Sequence, residues 1–552
     1  MVSVKLAGMN VPLKILDELK KLIIELREKN GSPDSKLEYA SKKIAELTEL
    51  FTPEPISAAY ARISRDPANV NELLKRAMLD VAKARKSNEA IIFNLGHHSV
   101  ADHALFNFNI TGISRLAIEE FEKRRIGVGY TEKSQRYINL DGDYVKPKEF
   151  SPEDLKKFEE LVNIQNEFYF RNKGKLFDFL QKKFSDKIYS LNGKEKKDFI
   201  DKLDGSAKED VRYPLCTATE GQLGGSYNGE ALEHMLRCGE YSRLLEVRDA
   251  AKEFFEEVRR YAPSLIQLVD AEIFEKHNPG QKLKDDNFKY TEQNLRELVQ
   301  KAFAEYSTDL SDARKRLVNS DMNHVIISGR KNALLIQSVD DYDLNILAAI
   351  LHEYSKKGIE DCYEVAYMVR KDDKANYFMK QALKHISQFD KVPRAFEFTG
   401  GLMYEAIVSS SCFAQLKRHR MMTLLSQDYN PELGFTMPPN IREAGMGKEL
   451  EEVIRRSTEL YYEFLPKYGK AAEYCLTNAN RRRVLIGMDM RQLYHFSRTR
   501  EDAHAQWEIR GLANTMADLA SEEAPITTML LGGQHEFDDI YQKIYNPARD
   551  IE

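Results

Sequence analysis

The sequence predicts a helix-rich α+β fold laid down twice in tandem. Three observations predict it. Most of the chain places apolar residues three and four apart with charged residues between, the pattern of amphipathic helices. A few short stretches instead alternate apolar and polar positions, the pattern of half-buried strands. Finally, segments bearing Arg, Tyr and Glu between residues 124 and 248 return in the same order between 418 and 510.

The chain has 552 residues, 42% hydrophobic and 31% charged. That length supports two large domains, each able to bury a core without disulfide or metal staples. Lys and Arg number 82 against 87 Asp and Glu, a net charge of −5. Such a balance argues against a nucleic-acid coat protein or a polybasic membrane binder. The five cysteines (216, 238, 362, 412 and 475) form no CxxC pair, which excludes zinc ribbons and thioredoxin-like motifs and points to a reduced, cytoplasmic compartment. The longest apolar stretches, such as Leu344 to Leu351, fall far short of the about 20 residues that span a bilayer.

Residues 1–50 read as an N-terminal helical extension, in which Pro12, Leu13, Leu16, Leu19, Ile23 and Leu26 form an apolar stripe. Pro53 and Pro55 open a first domain, 51–285. Within it, Ala101 to Ile110 alternates after Leu105 and reads as a strand. Helix follows from about Ser114 to Arg125. Residues 151–210 are charged and helical with a loop at Asn192-Gly193, and helix resumes from Gly229 to Tyr261. The polar, turn-rich stretch 275–290 is the linker. The second domain, 286–552, then shows a strand at Val325-Ile326-Ile327 and helix from Asp343 to Lys357. A strand near Phe396 and a helix running into Lys417 follow.

The repeat carries chemistry. Ten residues past Arg124 stands Ser134-Gln135-Arg136-Tyr137, and ten past Arg418 stands Asp428-Tyr429-Asn430. Leu245-Glu246-Val247-Arg248 in the first half matches Trp507-Glu508-Ile509-Arg510 in the second. Arg124 and Glu246 are 122 residues apart, Arg418 and Glu508 only 90, and insertions within 151–210 absorb most of the difference.

Arg418-His419-Arg420 ends an apolar helix. Guanidinium forks grip phosphate or carboxylate through paired bonds, so two Arg flanking a His suit an anionic ligand. The plainer reading is a basic helix end satisfying its last carbonyls and dipole. Residues 481–500 hold six Arg against one acid, Asp489, which suits a phosphate site or RNA as well as a solvated face. His97, His98, Asp102 and His103 have the chemistry of metal ligands. No HExxH accompanies them, and structural or ligand-facing roles fit better; no metal is expected. The chain has no P-loop, no GxGxxG and no GxSxG, so a nucleotide must be held by Arg side chains and helix ends.

The run His504-Ala505-Gln506-Trp507-Glu508-Ile509-Arg510, preceded by Arg500 and Arg418-His419-Arg420, resembles the flavin-dependent thymidylate synthase family. That family's pattern is Arg-His-Arg, a spacer as long as 421–427 here, then a Ser-x-Arg loop. Gly96 to His103 and Ser134-Gln135-Arg136-Tyr137 resemble further stretches of it. The resemblance covers most of 51–265 and, more thinly, 335–525. It implies two fused copies of one domain, each an antiparallel sheet with flanking helices.

Neither copy matches the family throughout. Ser134-Gln135-Arg136 matches its substrate loop, where the second copy has Asp428-Tyr429-Asn430, and an Asp there repels phosphate. Arg418 matches the first Arg of Arg-His-Arg, where the first copy has Arg124-Arg125-Ile126. Gln415 and Arg500 match substrate positions held in the first copy by Phe121 and Gly239. Arg212 matches a further substrate Arg, for which Arg482 or Arg483 is the loose counterpart in the second copy. Family flavin contacts match Ser99, Glu132 and Asn228 in the first copy, and Arg418, His419, Arg420, Arg491 and His495 in the second.

The family assembles each nucleotide site from several subunits of a homotetramer. The resemblance therefore implies that Ser134, Gln135, Arg136 and Arg212 of one copy and Gln415, Arg418 and Arg500 of the other build one composite site. A homodimer of tandem chains would mimic the tetramer. The implied reaction passes a one-carbon unit from methylenetetrahydrofolate to C5 of dUMP, with FAD reduced by NADPH. Arg500 is the expected catalytic residue, stabilising enolate charge. Small molecules, dUMP and folate, are the expected partners, with no membrane and no nucleic acid. Methylation of another pyrimidine nucleotide, or a non-catalytic nucleotide or flavin sensor, are the alternatives.

Overall fold

The computed structural model describes residues 2–28, 31–123, 126–136, 138, 140–269, 272, 275–276, 287–306, 328–330, 333–398 and 401–546. In the first half, β1 (Ser3–Met9) precedes α1 (Lys14–Glu28), α2 (Pro33–Thr48), α3 (Glu54–Arg62), α4 (Val70–Leu79) and α5 (Val81–Leu95). Then come β2 (Leu105–Ser114), α6 (Arg115–Phe121), β3 (Val128–Glu132), α7 (Pro152–Lys183), α8 (Ser185–Ser190) and α9 (Gly193–Val211). β4 (Glu220–Asn228), α10 (Gly229–Glu240), α11 (Leu245–Arg259) and α12 (Asn287–Tyr306) follow.

The second half runs β5 (Ser328–Arg330), β6 (Ala333–Gln337), α13 (Tyr342–Glu353), α14 (Ile359–Lys371), α15 (Ala375–Leu383), β7 (Leu402–Ser409) and α16 (Ser410–Leu416). It continues with β8 (Thr423–Ser426), α17 (Pro439–Glu443), α18 (Gly447–Tyr468), β9 (Arg481–Met488), α19 (Met490–Arg500), α20 (Trp507–Glu523) and α21 (Phe537–Tyr545).

The chain divides into two compact units. Unit 1 is Met1–Glu159, Thr217–Lys301 and Glu463–Tyr474; unit 2 is Glu160–Cys216, Ala302–Tyr462 and Cys475–Glu552. Each is an antiparallel sheet with helices. Unit 1 has strand order β1-β2-β4-β3 and unit 2 has β5-β6-β7-β9-β8. Without β5 the two orders correspond strand for strand, so the duplication expected from sequence is present in the topology. The α+β class and the antiparallel sheets are as expected.

In both units the central strand feeds a short helix through a serine cap. On β2, Phe106, Phe108 and Ile110 are buried and Asn107 and Asn109 exposed, the alternation read in the sequence. Ser114 ends the strand and its Oγ accepts the Ala117 N–H. On β7, Leu402, Tyr404, Ala406 and Val408 are buried, and Ser409 caps α16 through Cys412 N–H.

Each half lends a segment to the other half's unit. In unit 2, Gln165 on α7 donates to Ser457 Oγ at 2.8 Å, while Asn478 N and Ala479 N donate to Leu215 O and Tyr213 O at 2.9 and 3.0 Å. In unit 1, Asp154 accepts from Lys467 Nζ at 3.0 Å and Tyr468 OH at 2.7 Å, and the Phe150 ring packs on Phe464 and Tyr468. These are the charged helical residues 151–210 of the sequence and their counterpart in the second half.

Several elements differ from the sequence reading. Residues 3–9 form an edge strand rather than helix, because Val2 and Val4 face the core and β1 pairs with β2 from Ser3↔Thr111 to Met9↔Phe106. On α1 the inward stripe is Ile15 and Leu22, while Leu13, Leu16 and Ile23 face out. α6 ends at Phe121, four residues before the expected limit, and the expected helix Gly229 to Tyr261 breaks between Glu240 and Leu245. The strand expected near Phe396 is a 3-10 turn, Arg394–Glu397, and the strand begins at Leu402. Val325 to Ile327, most of the linker 275–290, Arg124, Arg125 and Tyr137 lie outside the described residues.

Candidate functional site

In unit 2 the sheet and two helices gather the matched residues. Gln415 lies on α16, and the chain turns directly after it, with Arg418 N and His419 N bonding to Gln415 O and Leu416 O at 3.3 Å. His419 is buried, its ring edge-on to Phe496 at 4.8 Å and to His495 at 5.8 Å. From the end of α19, Arg500 Nε donates to His419 Nε2 at 2.8 Å, and its Nη2 donates to Gln415 O at 3.2 Å. A guanidinium only donates, so Nε2 of His419 presents its lone pair and the imidazole is neutral. His495 is held below the usual imidazole range by desolvation, then by Lys391 and Arg500.

Glu508 ties this cluster to Arg212. Oε2 of Glu508 accepts Ser409 Oγ–H at 2.5 Å and Tyr213 OH at 2.8 Å. Its Oε1 accepts Ser409 N–H and Thr436 Oγ–H, both at 3.1 Å. Tyr213 is fully buried, accepts Gln506 Nε2–H at 2.7 Å and stacks on Trp507 with 6.0 Å between ring centres. Arg212, just before it, is buried, with Nε donating to Glu209 O at 3.2 Å and its carbonyl accepting from Asn478 Nδ2 at 3.1 Å. One carboxylate therefore holds both the cap of the helix bearing Gln415 and the turn bearing Arg212.

Unit 1 repeats the frame of serine cap, carboxylate and tyrosine. Ser114 N and Oγ donate to Glu246 at 2.6 Å each, and Tyr474 OH donates to Glu246 at 2.7 Å. Burial pushes the Glu246 carboxyl up. The tyrosine positions identify the true counterpart of Arg212. It is Glu473, just before Tyr474, rather than Arg482 or Arg483. Glu473 is buried and accepts from Lys470 Nζ at 2.6 Å. Counted from the serine caps, the counterpart of Gln415 is Glu120 rather than Phe121, which matches Leu416 and is buried in the core. A Cβ on Gly239 would lie 2.9 Å from the Ala251 Cβ, so helix packing leaves that position no side chain.

The two loops matched to Ser-x-Arg also differ. In unit 1, Ser134 Oγ accepts the Arg136 N–H at 3.2 Å and Gln135 is buried. A cavity of about 50 Å³ is lined by the preceding Lys133 and by Asp141, Asp143 and Glu220, an acidic wall unsuited to phosphate. In unit 2, Tyr429 is buried beneath Arg482, whose guanidinium lies 3.6 Å from its ring centre and 4.6 Å from that of Phe413. Asn430 Oδ1 accepts the Glu432 N–H. That loop is packed as structure.

Other matched residues spread out. Ser99 is exposed on the turn His98–His103. Glu132 and Asn228 stand at opposite ends of the β3–β4 ladder. Asn228 caps α10 through Ala231 N–H, and Asp489 caps α19 in the same way through Gln492 N–H. Gly229 beside that cap is required, since a Cβ there would lie 2.6 Å from Ala101 O. Arg491 pairs with Glu397 and donates to Val392 O at 3.0 Å, and it holds the Glu397 carboxyl low. Arg420 is exposed.

Each of the six arginines of 481–500 has a partner within the fold. Arg481 binds Thr436 Oγ1, Arg483 pairs with Glu405, and Arg498 lies over Phe537, while Arg482, Arg491 and Arg500 have the internal partners given above. In the His97–His103 cluster, His98 Nδ1 lies 3.8 Å from the buried Glu233, and His103 packs edge-on to Tyr60. Among the described residues no group of three His, Cys, Asp or Glu is arranged to hold a metal, and no helix is long and apolar enough to cross a membrane. All five cysteines are free.

Sequence reasoning missed Asp210, Tyr213, Asn440, Asn478 and Glu473. A signal was present, because Tyr213-Pro214-Leu215-Cys216-Thr217 returns as Tyr474-Cys475-Leu476-Thr477.

The family model described as "Thymidylate synthase complementing protein" matches residues 46–264 and 334–526. A UPF0159 protein of Chlamydia muridarum is 22% identical over 454 residues, covering 81% of this chain and 80% of that protein. A UPF0159 protein of Thermoplasma acidophilum is 22% identical over 454 residues, covering 77% and 84%. A flavin-dependent thymidylate synthase of Clostridium tetani is 28% identical over 230 residues, covering 41% of this chain and 84% of that protein.

Proposed function

The chain belongs to the thymidylate synthase complementing protein family, and we propose that it methylates dUMP to dTMP with methylenetetrahydrofolate as carbon donor, FAD as cofactor and NADPH as reductant. The observation that carries this reading is the frame around Glu508. Through Tyr213 and Ser409 the Glu508 carboxylate joins the turn that bears Arg212 to the helix that bears Gln415, and Arg500 donates to Gln415 O, which supports this reading. The reciprocal frame has Glu473, Glu120 and Gly239 instead. We read this as one working nucleotide site per chain, to which both copies contribute.

Arg212 and Arg418 bind the phosphate, and Ser134, Gln135 and Arg136 are the substrate loop of the first copy. Arg500 sits at the pyrimidine carbonyls. There its guanidinium stabilises the negative charge that moves onto oxygen as C5 becomes nucleophilic. Cys412 takes no part as a nucleophile, because burial pushes its thiol well up. In this assignment a homodimer carries two sites.

The donor set of His419, His495, Arg418 and Arg420 fits a phosphate-bearing flavin, with Ser99 and Glu132 as further contacts. Asn228 and Arg491 are engaged within the fold, which leaves them their outer edges at most. When bound, the flavin supplies the redox step. The test is folate-dependent release of tritium from C5-labelled dUMP. Loss of release in Arg212→Ala and Arg418→Ala, with folding intact, is the expected result; wild-type protein that binds dUMP without releasing tritium contradicts synthase activity.

A further inference from the structure

The run from Gln506 to Glu508 has no assigned role beyond sequence pattern, yet its three side chains grip the residues on either side of Arg212. Asp210 and Tyr213 are both buried. Asp210 Oδ1 accepts Trp507 Nε1–H at 2.8 Å, and its Oδ2 accepts Asn440 Nδ2–H at 2.8 Å. Tyr213 bonds Gln506 and Glu508 and stacks on the Trp507 indole at an interplanar angle of 18°. The main chain between them is fixed by Asn478 on Arg212 O. Arg212 closes α9 as its C-cap, a place where the backbone would otherwise fray.

We propose that Trp507 and Asp210 are positioning residues that clamp the end of α9 and aim Arg212 at the phosphate of the nucleotide. The proposal rests on the reading that Arg212 binds that phosphate. Trp507 acts on Asp210 through its indole N–H and on Tyr213 through its ring face, so it fixes Arg212 from both sides without touching the ligand.

The clamp has a readout that a merely structural joint lacks. Burial pushes the Asp210 carboxyl up to about 7, with Glu209 adding to the rise and Trp507, Asn440 and Arg212 opposing it. The groups facing it are Glu209 and Arg212 from its own helix, neutral Asn440 from α17, Trp507 and Glu508 from α20, and Tyr213. A phosphate dianion brought to Arg212 raises the Asp210 pKa further, so nucleotide binding takes up a proton near neutral pH.

The test is calorimetric titration of dUMP into wild type, Trp507→Phe and Asp210→Asn between pH 6 and 8.5, in buffers of different ionisation enthalpy. Wild type takes up a proton, and its affinity falls with rising pH more steeply than that of Asp210→Asn. The variant shares only the ionisation of the nucleotide phosphate, near about 6. Trp507→Phe keeps the stacked ring and loses the donor, and binds dUMP on the order of ten-fold more weakly. Asp210→Asn keeps an acceptor for Trp507 and binds about as well as wild type at pH 6. Equal pH slopes in wild type and Asp210→Asn, or unchanged affinity in Trp507→Phe, overturn the clamp while leaving the nucleotide reading intact. Absence of dUMP binding by wild type at every pH overturns both.

Discussion

Replacing Glu508 perturbs unit 2 at its most connected carboxylate. Four hydrogen bonds converge on it, from Ser409 N and Oγ, Thr436 Oγ1 and Tyr213 OH, and Tyr213 is fully buried. Bonds to a charged acceptor contribute about 1.5–3 kcal/mol each. Three of these donors are hydroxyls that can reorient, and the four are not additive. The Ser409 N–H cannot turn away. Glu508→Ala is therefore expected to cost about 4 kcal/mol. Glu508→Gln keeps an oxygen toward Ser409 N–H and Thr436 and offers its amide to hydroxyls that can accept, so it costs about 1–2 kcal/mol. Urea unfolding followed by tryptophan emission reads unit 2 selectively, because Trp507 is the chain's only tryptophan. With a slope of about 3 kcal/mol/M, the alanine midpoint drops by about 1 M and the glutamine midpoint by less than half that. Equal midpoints for wild type and Glu508→Ala, or equal losses for Gln and Ala, would refute the hub.

Gly239→Arg restores the family residue in the first copy, yet its Cβ meets Ala251 at 2.9 Å. Thermal melts should show a loss of about 1–3 kcal/mol and dUMP titration no second site. Arg482→Ala removes the cation above Tyr429 and should cost about 1–2 kcal/mol by urea titration while leaving dUMP affinity within about two-fold, in contrast to Arg212→Ala. For Asp210, the unfolded carboxyl ionises near 3.8 and the folded one at about 7. The native state keeps its proton through that window, so this stability is full below pH 3.8 and lost as pH rises through about 7. At 1.36 kcal/mol per unit the swing is roughly 4 kcal/mol, and Asp210→Asn, measured from pH 4 to 8, should lack it. A variant with the same pH slope as wild type would contradict this.

The duplication, the sheet class and the strand-to-helix turns were legible because they rest on local patterns: alternation in Phe106-Asn107-Phe108-Asn109-Ile110 and a serine before each short helix. Strand β1 was not, since an edge strand followed closely by amphipathic helix carries few alternations. The turn at Phe396 was misread for the reverse reason, an aromatic in a short apolar stretch that tertiary packing, not β pairing, buries. The candidate site residues Arg418, His419 and Arg500 were singled out by residue type, which anion binding restricts to a few cationic side chains. The partner of Arg212 was not, because Tyr213, Glu508 and Trp507 come together only after residues 160–216 fold into unit 2. Sequence spacing pointed loosely to Arg482 or Arg483 for the reciprocal position; hydrogen bonding of Tyr474 to Glu246 points to Glu473.

The most direct test of a single composite site is the number of dUMP molecules bound per chain by flavin-loaded protein, measured by calorimetry. One per chain is the predicted result, falling to none in Arg212→Ala combined with Arg418→Ala. Two per chain would mean that the frame bearing Glu473, Glu120 and Gly239 also binds nucleotide, which contradicts the assignment.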